Sequence, residues 1–492
     1  MLRCRDISLV FGCTLALTLA GCGDDGGGTA SAGGSTGATS ATSTATEPTT
    51  SASASGSSST SDGGSGTGNE ATSTGTPTTG SVTSGGIKLD VGVPDQGGGS
   101  CTVKCGNTDW SYVWIANSGE HTISKINTRT LQEEGRYITR ADQNGNPSRT
   151  SVSIDAKAVA VANRAGGITK IWARPEFCTD KNGNGTIDTS TGKNDLLPWD
   201  QDECVAWFTA FPDATTQRPI AWTSGTYNPE TCEYENQKIW TAAANGTKGG
   251  TWPCDGSPGI FVYRLNGDTG VVEDTIAMPD VTCGGTLGPY GAAVDTNNNL
   301  WMYIWSAFTI VHVDYETLEY NTIQGGSYGI TVDTKGRVWV DSGQRYDPMT
   351  MQWASQIGNQ PGNGGSGVAQ DLKGRIWKAT TGGVGWVDSE TMMVGDTVLL
   401  PNNGLARGVG VDVDGYIWAV ILGGTQAFRI HPDTYEVQSY DGLNQPYTYS
   451  DMAGGQINNV TCNPQGPTAQ NTAKRHFLVL AAGVAGPVKP VQ

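Results

Sequence analysis

The clearest chemistry in the chain lies in nine residues, Asp180-Lys181-Asn182-Gly183-Asn184-Gly185-Thr186-Ile187-Asp188. Side-chain oxygens stand at positions 1, 3, 5 and 9, Gly at position 6, and the Thr186 carbonyl at position 7. That spacing wraps hard oxygen ligands around one Ca2+ ion. Position 12 is Thr191, where a bidentate Glu normally completes such a site, so the last ligand falls to Asp195, Asp200 or Asp202. Two readings stay open: a structural calcium site using Asp180, Asn182, Asn184, Thr186 and Asp188, or a plain Asn-Gly-rich turn.

Elsewhere the material for catalysis is thin. There are four histidines. His121 and His431 sit in polar turns, His312 in an apolar strand, and His476 near the chain end, none beside a nucleophile motif. No phosphate loop, Gly-x-Ser-x-Gly elbow or His-Glu-x-x-His is present. Of the 11 cysteines, Cys4, Cys13 and Cys22 belong to the leader region. The even remainder reads as disulfides in an exported chain. Cys178 with Cys204, and Cys232 with Cys254, are the pairings expected, each stapling an excursion. The partners of Cys101, Cys105, Cys283 and Cys462 are not written in the spacing. A zinc site on Cys101 and Cys105 lacks a second Cys/His pair.

These residues are carried by a repeat. Asp295…Trp301, Asp333…Trp339, Asp371…Trp377 and Asp412…Trp418 share one offset, and the Trp residues recur after 38, 38 and 41 positions. Each unit is an alternating strand, a tight turn and a second strand ending on a large aromatic, the pattern of a β-hairpin. A hairpin of this kind cannot bury its own face, and about forty residues per copy suits the four-stranded blade of a β-propeller. A second recurring turn, at Asn127, Asp314, Asp347, Asp388 and His431, joins third to fourth strands through short polar side chains. Both Asp series are read as scaffold, and the Trp set as packing between blades.

The predicted fold is therefore all-β, a seven-bladed propeller over 106–462, with six blades if blade three has a different topology. The chain enters in mid-blade at Tyr112-Val113-Trp114. Tyr449–Met452 is expected to supply blade one's missing strand and close the ring, removing an exposed sheet edge. The calcium-type loop lies in an insertion at 175–203.

Before the repeats, Arg3 and Arg5 precede an apolar run too short to span a membrane, ending in Leu19-Ala20-Gly21-Cys22. This predicts a signal peptide over 1–21, lipid on Cys22 and an outer-membrane lipoprotein of the bacterial cell envelope. Residues 22–105 are a Ser/Thr/Gly-rich linker predicted to be disordered, with a reach of about 50 Å, and 463–492 form a tail. The formal net charge of −17 argues against nucleic acid as partner. The membrane, through the lipid, is one partner; an unknown glycan, peptide or protein is the other, and the head is expected to be a monomer.

At Gly329-Ile330-Thr331-Val332-Asp333-Thr334-Lys335-Gly336-Arg337-Val338-Trp339 and its copies, the sequence resembles the streptogramin lyase (virginiamycin B lyase) group of seven-bladed propellers, and the surface-layer and NHL-type repeat propellers. The loop at 180–188 resembles the calcium loops of EF-hand and dockerin sequences. The lyase resemblance implies an elimination that opens a cyclic peptide lactone, using Mg2+ and a His just before the inner strand. At the matching positions this chain has Tyr290, Tyr328, Ser366 and Arg407, and no His. No general base is assigned, so a non-enzymatic binding or adhesion module is the first expectation, its ligand meeting Tyr290, Tyr328 and Arg407. A streptogramin lyase-like carbon–oxygen lyase is the alternative, and only that reading calls for Mg2+.

Overall fold

The structure, a computed structural model, describes Cys105 and residues 109–465 apart from 215, 229, 245–258, 282–286, 306, 363 and 402–403. The expected signal peptide, the expected lipidation residue Cys22, the predicted linker up to 104, Cys254 and the tail from 466 lie outside the described residues.

Seven sheets stand around an axis. Blades two and four to seven are four-stranded meanders, each running from its innermost strand outward. Their innermost strands are Pro147–Val152, Pro289–Val294, Ile330–Val332, Val368–Gln370 and Ala406–Val411. Blade three keeps the same order, Ile220–Trp222, Lys238–Ala244, Ile260–Asn266 and Val272–Met278, with the small hairpin Thr226–Asn228/Glu233–Glu235 inserted after its first strand. Seven, not six, is therefore the count.

Blade one is three strands of contiguous chain, Tyr112–Asn117, Thr122–Asn127 and Glu133–Ile138. Its innermost layer comes from residues 446–452. The Trp114 N–H donates to the Met452 carbonyl at 2.8 Å and the Tyr447 N–H to the Ala116 carbonyl at 3.1 Å. The ring closes as expected.

Burial follows position. Innermost strands are buried along their whole length, because both faces meet neighbouring blades, whereas outer strands such as Tyr320–Gln324 stay half-buried or exposed throughout. The Trp of each hairpin lies between blades; Trp114, Trp240, Trp339, Trp377 and Trp418 are among the largest fully buried side chains. The paired Asp holds the turn and the Trp together. In blade five, one Asp333 oxygen accepts the Lys335 and Arg337 N–H groups at 2.9 Å, and the other accepts the Trp339 indole N–H at 2.8 Å. The same bond joins Asp295 to Trp301, Asp371 to Trp377 and Asp412 to Trp418. These carboxylates are consumed by the scaffold.

A cation often faces the Trp position across the sheet and reaches the next blade. Lys125, opposite Trp114, donates to the Ala173 carbonyl at 2.9 Å; Lys170 donates to the Gly267 carbonyl at 2.9 Å; Arg345, opposite Trp339, donates to the Ser389 carbonyl at 2.7 Å. Each such bond fixes neighbouring sheets at their connecting turns.

Two disulfides are described in full. Cys178–Cys204 spans the insertion, as expected. Cys105–Cys462 ties the start of the folded chain to its last helix over a separation of 357 residues. Cys232 is also disulfide-bonded; its predicted partner Cys254 lies outside the described residues.

Candidate functional site

Strand register defines a ring of seven equivalent positions where the innermost strands begin. Each lies three residues before the residue paired with the Trp position of the second strand: Trp301 with Ala293, Trp339 with Thr331, Trp377 with Ala369, Trp418 with Gly410, Trp240 with Ala221, and Ala160 with Ser151. Counting back gives Tyr290, Tyr328, Ser366, Arg407, Arg218 and Ser148. The bridge between Asn117 and Pro446 puts Tyr447 at the seventh position. In blades two, four and seven this residue is a β-bulge, which turns its side chain out of the ladder.

The three predicted residues Tyr290, Tyr328 and Arg407 come together here. The Tyr290 hydroxyl lies 2.9 Å from that of Tyr328, and the Arg407 guanidinium carbon 4.9 Å from the centre of the Tyr328 ring. Tyr447, absent from the sequence expectation, completes a triangle of hydroxyls. Its oxygen is 2.5 Å from that of Tyr290 and is also bonded to Tyr328. Tyr449 packs against Tyr290 and Tyr328 with ring centres 6.0 and 5.1 Å away.

Two further arginines enter the cluster. Arg218 stands 5.1 Å from the Tyr290 ring centre, and Arg149 lies 3.1 Å from that of Tyr449 and 4.8 Å from that of Tyr290. This placement governs the phenols. Burial pushes Tyr290 up to about 12 and Tyr328 well above the ordinary phenol value. Burial acts the same way on Tyr447, but Arg149, Arg218 and the hydrogen bonds of its two tyrosine neighbours outweigh it and bring that hydroxyl below 10.

The opposite end of the channel is closed. Asp451 ends the borrowed strand, and its carboxylate accepts the Gln456 and Ile457 N–H groups at 3.1 and 2.8 Å, starting helix α1 (Gly455–Cys462). The α1 side chains Ile457 and Val460 are buried, and the Asn459 amide donates to the Gln370 carbonyl at 2.7 Å, where an innermost strand ends. The tyrosine–arginine cluster, itself buried, and helix α1 thus mark the two ends of the ring's axis.

The calcium-type loop lies apart from this mouth. Asp180 accepts the Gly183 and Gly185 N–H groups at 2.6 and 2.9 Å, and the amides of Asn182 and Asn184 both reach one Asp188 oxygen at 2.8 Å. Four predicted ligand side chains therefore converge or fold inward. Of the candidates for the missing acid, Asp202 is occupied by Thr189, Ser190 and the Cys204 N–H, and Asp195 accepts from Thr191. The acid that folds back on the loop is buried Glu203, which accepts the Lys181, Asn182 and Asp188 N–H groups. Among the described residues no group of three or more His, Cys, Asp or Glu is disposed to hold a metal ion. A cation here would draw on the amide oxygens of Asn182 and Asn184 and the Thr186 carbonyl beside Asp180 and Asp188, which fits Ca2+ better than a softer ion.

Fold and mouth define the chain as a seven-bladed β-propeller. Among solved structures, it is similar to a catalytically inactive virginiamycin B lyase from Staphylococcus aureus with quinupristin, at 13% identity over 62% of this chain and 86% of that one, TM-score 0.42. A protein from Lactobacillus plantarum aligns at 10% identity over 69% and 98%, TM-score 0.46, and apo AztD from Citrobacter koseri at 9% over 69% and 97%, TM-score 0.41. Likeness at this level concerns the fold alone. No protein-family model and no curated protein matches the sequence.

Proposed function

We propose that this chain is a cell-envelope lipoprotein, acylated at Cys22, whose propeller is a non-enzymatic binding module with its ligand at the Tyr–Arg mouth. The observation that carries this reading is the concentration of tyrosine and arginine at one end of the ring. Three tyrosines and two arginines occupy five of the seven ring positions, while α1 occupies the other end. Tyrosine gives large contact area at low entropic cost, and arginine gives directed donors, the combination typical of recognition surfaces. The loop at 180–188 takes Ca2+ in a structural role, ordering an insertion that Cys178 and Cys204 already pin. The test of binding is a glycan and peptide panel probed with the full chain carrying Cys22→Ser. Retention on some member, lost in Tyr328→Ala, is the expected result; silence across broad panels removes the reading.

A carbon–oxygen lyase is the second reading, favoured by Tyr447. Arg149 and Arg218 favour the ionised form of that phenol, and once it has given up its own proton its phenolate would be the base available there. Incubation with virginiamycin B and Mg2+ decides it, since an unchanged mass eliminates a lactone-opening activity.

A further inference from the structure

Arg149 stands where four of the other six blades carry glycine. One residue beyond the ring, the equivalent positions are Gly291, Gly329, Gly367 and Gly408, with Pro219 and Thr448 in the remaining two. Glycine is demanded there by close approach between neighbouring innermost strands. A Cβ on Gly329 would lie 2.0 Å from the Ser366 carbonyl oxygen, and one on Gly408 2.5 Å from that of Thr448. In blade two the position instead carries the chain's bulkiest cation, at 0% exposure.

Cation–π contacts with the Tyr449, Tyr290 and Tyr447 rings account for the faces of the Arg149 guanidinium but not for the donors on its edge. Its Nη1 donates to the Ser148 carbonyl at 3.0 Å, while Nε and Nη2 have no hydrogen-bond partner. Among the described residues Arg149 pairs with no carboxylate. Burying a guanidinium costs several kcal/mol unless its charge and donors are met, and an arginine cannot escape by losing its proton. The two idle donors are the parallel pair on one edge of the guanidinium, the edge that grips both oxygens of a carboxylate. In the same cluster, the hydroxyl of Tyr449, whose ring Arg149 covers, and the Nε of Arg407, over the Tyr328 ring, are likewise without hydrogen-bond partners. The two parallel donors of the Arg149 edge lie in the guanidinium plane, and a planar carboxylate offers its two oxygens in one plane to match them, as a tetrahedral phosphate does less fully.

We propose that the mouth recognises a carboxylate-bearing ligand through the Nε/Nη2 edge of Arg149, with Tyr449 and Arg407 as supporting donors. This rests on the binding reading above and specifies its ligand class.

The experiment is calorimetric titration of the full Cys22→Ser chain with glucuronate, glucose, acetate and inorganic phosphate. Glucuronate is expected to bind at least about 10-fold more tightly than glucose, and acetate more tightly than phosphate. Arg149→Lys keeps the charge but loses the fork, and should weaken glucuronate about 10-fold. Near-UV circular dichroism identifies variants that keep the native packing, and Tyr449→Phe, a milder change, should weaken glucuronate several-fold if Arg149→Lys fails to fold. Equal binding of glucuronate and glucose, phosphate at or above acetate, or unchanged affinity in folded Arg149→Lys overturns the carboxylate assignment. A neutral panel ligand that needs Tyr328 would overturn it while leaving the mouth as a binding site; silence in every arm and across the panel removes both.

Discussion

Trp114 and Met452 share a backbone hydrogen bond of 2.8 Å, although almost the entire folded chain lies between them. That contact converts an open row of sheets into a ring, and a second long-range link, Cys105–Cys462, lies just beyond it on the helix that the borrowed strand leads into.

Removing the second link should loosen the first. Cys462→Ser is expected to lower stability by about 2–5 kcal/mol, since a long closed loop gives the largest entropic effect of a crosslink. Denaturant titration of this variant, and of the wild type with and without reductant, measures it. Equal midpoints would mean that the strand pairing alone holds the ring.

Asp333→Ala should be among the most damaging single changes in the scaffold. The carboxylate is fully buried, accepts the Trp339 indole N–H and two turn N–H groups, and is ion-paired with Arg337 at 2.7 Å. Stranding the buried indole and turn donors, and leaving Arg337 only its Glu390 partner at 2.7 Å, is expected to cost about 3–5 kcal/mol. Asp314→Ala, in an exposed turn with bonds to the Glu316 and Thr317 N–H groups, should cost only about 1 kcal/mol. Urea unfolding of the two variants compares them.

Gly329→Ala tests the close approach of innermost strands. The new methyl would meet the backbone oxygen of Ser366 at 2.0 Å, and backbone cannot swing aside as a side chain can. A loss of about 2 kcal/mol or more is expected, read as a fall in Tm. A wild-type Tm would show that the two strands can separate freely.

Acid should act on two buried carboxyls. Burial pushes Asp412 and Asp451 from 3.8 up to about 6. Because the folded value exceeds the unfolded one, folding takes up protons between about pH 4 and 6, so this contribution to stability grows as pH falls from 7 to 4 and is lost as pH rises through 6. Asp451→Asn should flatten that slope relative to wild type in chemical denaturation at pH 5 and pH 7. An identical slope in the variant would assign the pH dependence elsewhere.

Chelation addresses the loop. EDTA is expected to lower the wild-type Tm, and Asp180→Ala, which removes the acceptor for Gly183 and Gly185, should abolish the difference. An unchanged melting curve in chelator would leave the segment as an Asn-Gly-rich turn.

The fold was legible wherever one physical ruler repeated. Asp412 and Trp418 lie six residues apart because one carboxylate must reach both its own turn and the indole, and that distance recurs in four blades. It also located Tyr290, Tyr328 and Arg407. The ruler fails in blades one to three. Blade three has Thr223 at the Asp position, bonded to the Lys238 N–H, so Trp240 turns to the Asn298 carbonyl of the next blade. In blade two a longer turn places Asp155 three residues after Val152, where Asp295 directly follows Val294. Arg218 and Arg149 were hidden for these reasons, and Tyr447 because its strand belongs to a blade that starts more than three hundred residues earlier. Glu203 escaped notice because it stands outside the linear calcium pattern and reaches the loop only through the fold.

Helix α1 has a bearing on orientation. Cys105 is bonded to Cys462 at the end of α1, with its sulfur 3.4 Å from the Tyr234 hydroxyl of the hairpin that follows an innermost strand. The disulfide thus fastens the first described residue of the chain to the helix that follows the last innermost strand, so that both ends of the folded segment are held on the side of the ring away from the tyrosines.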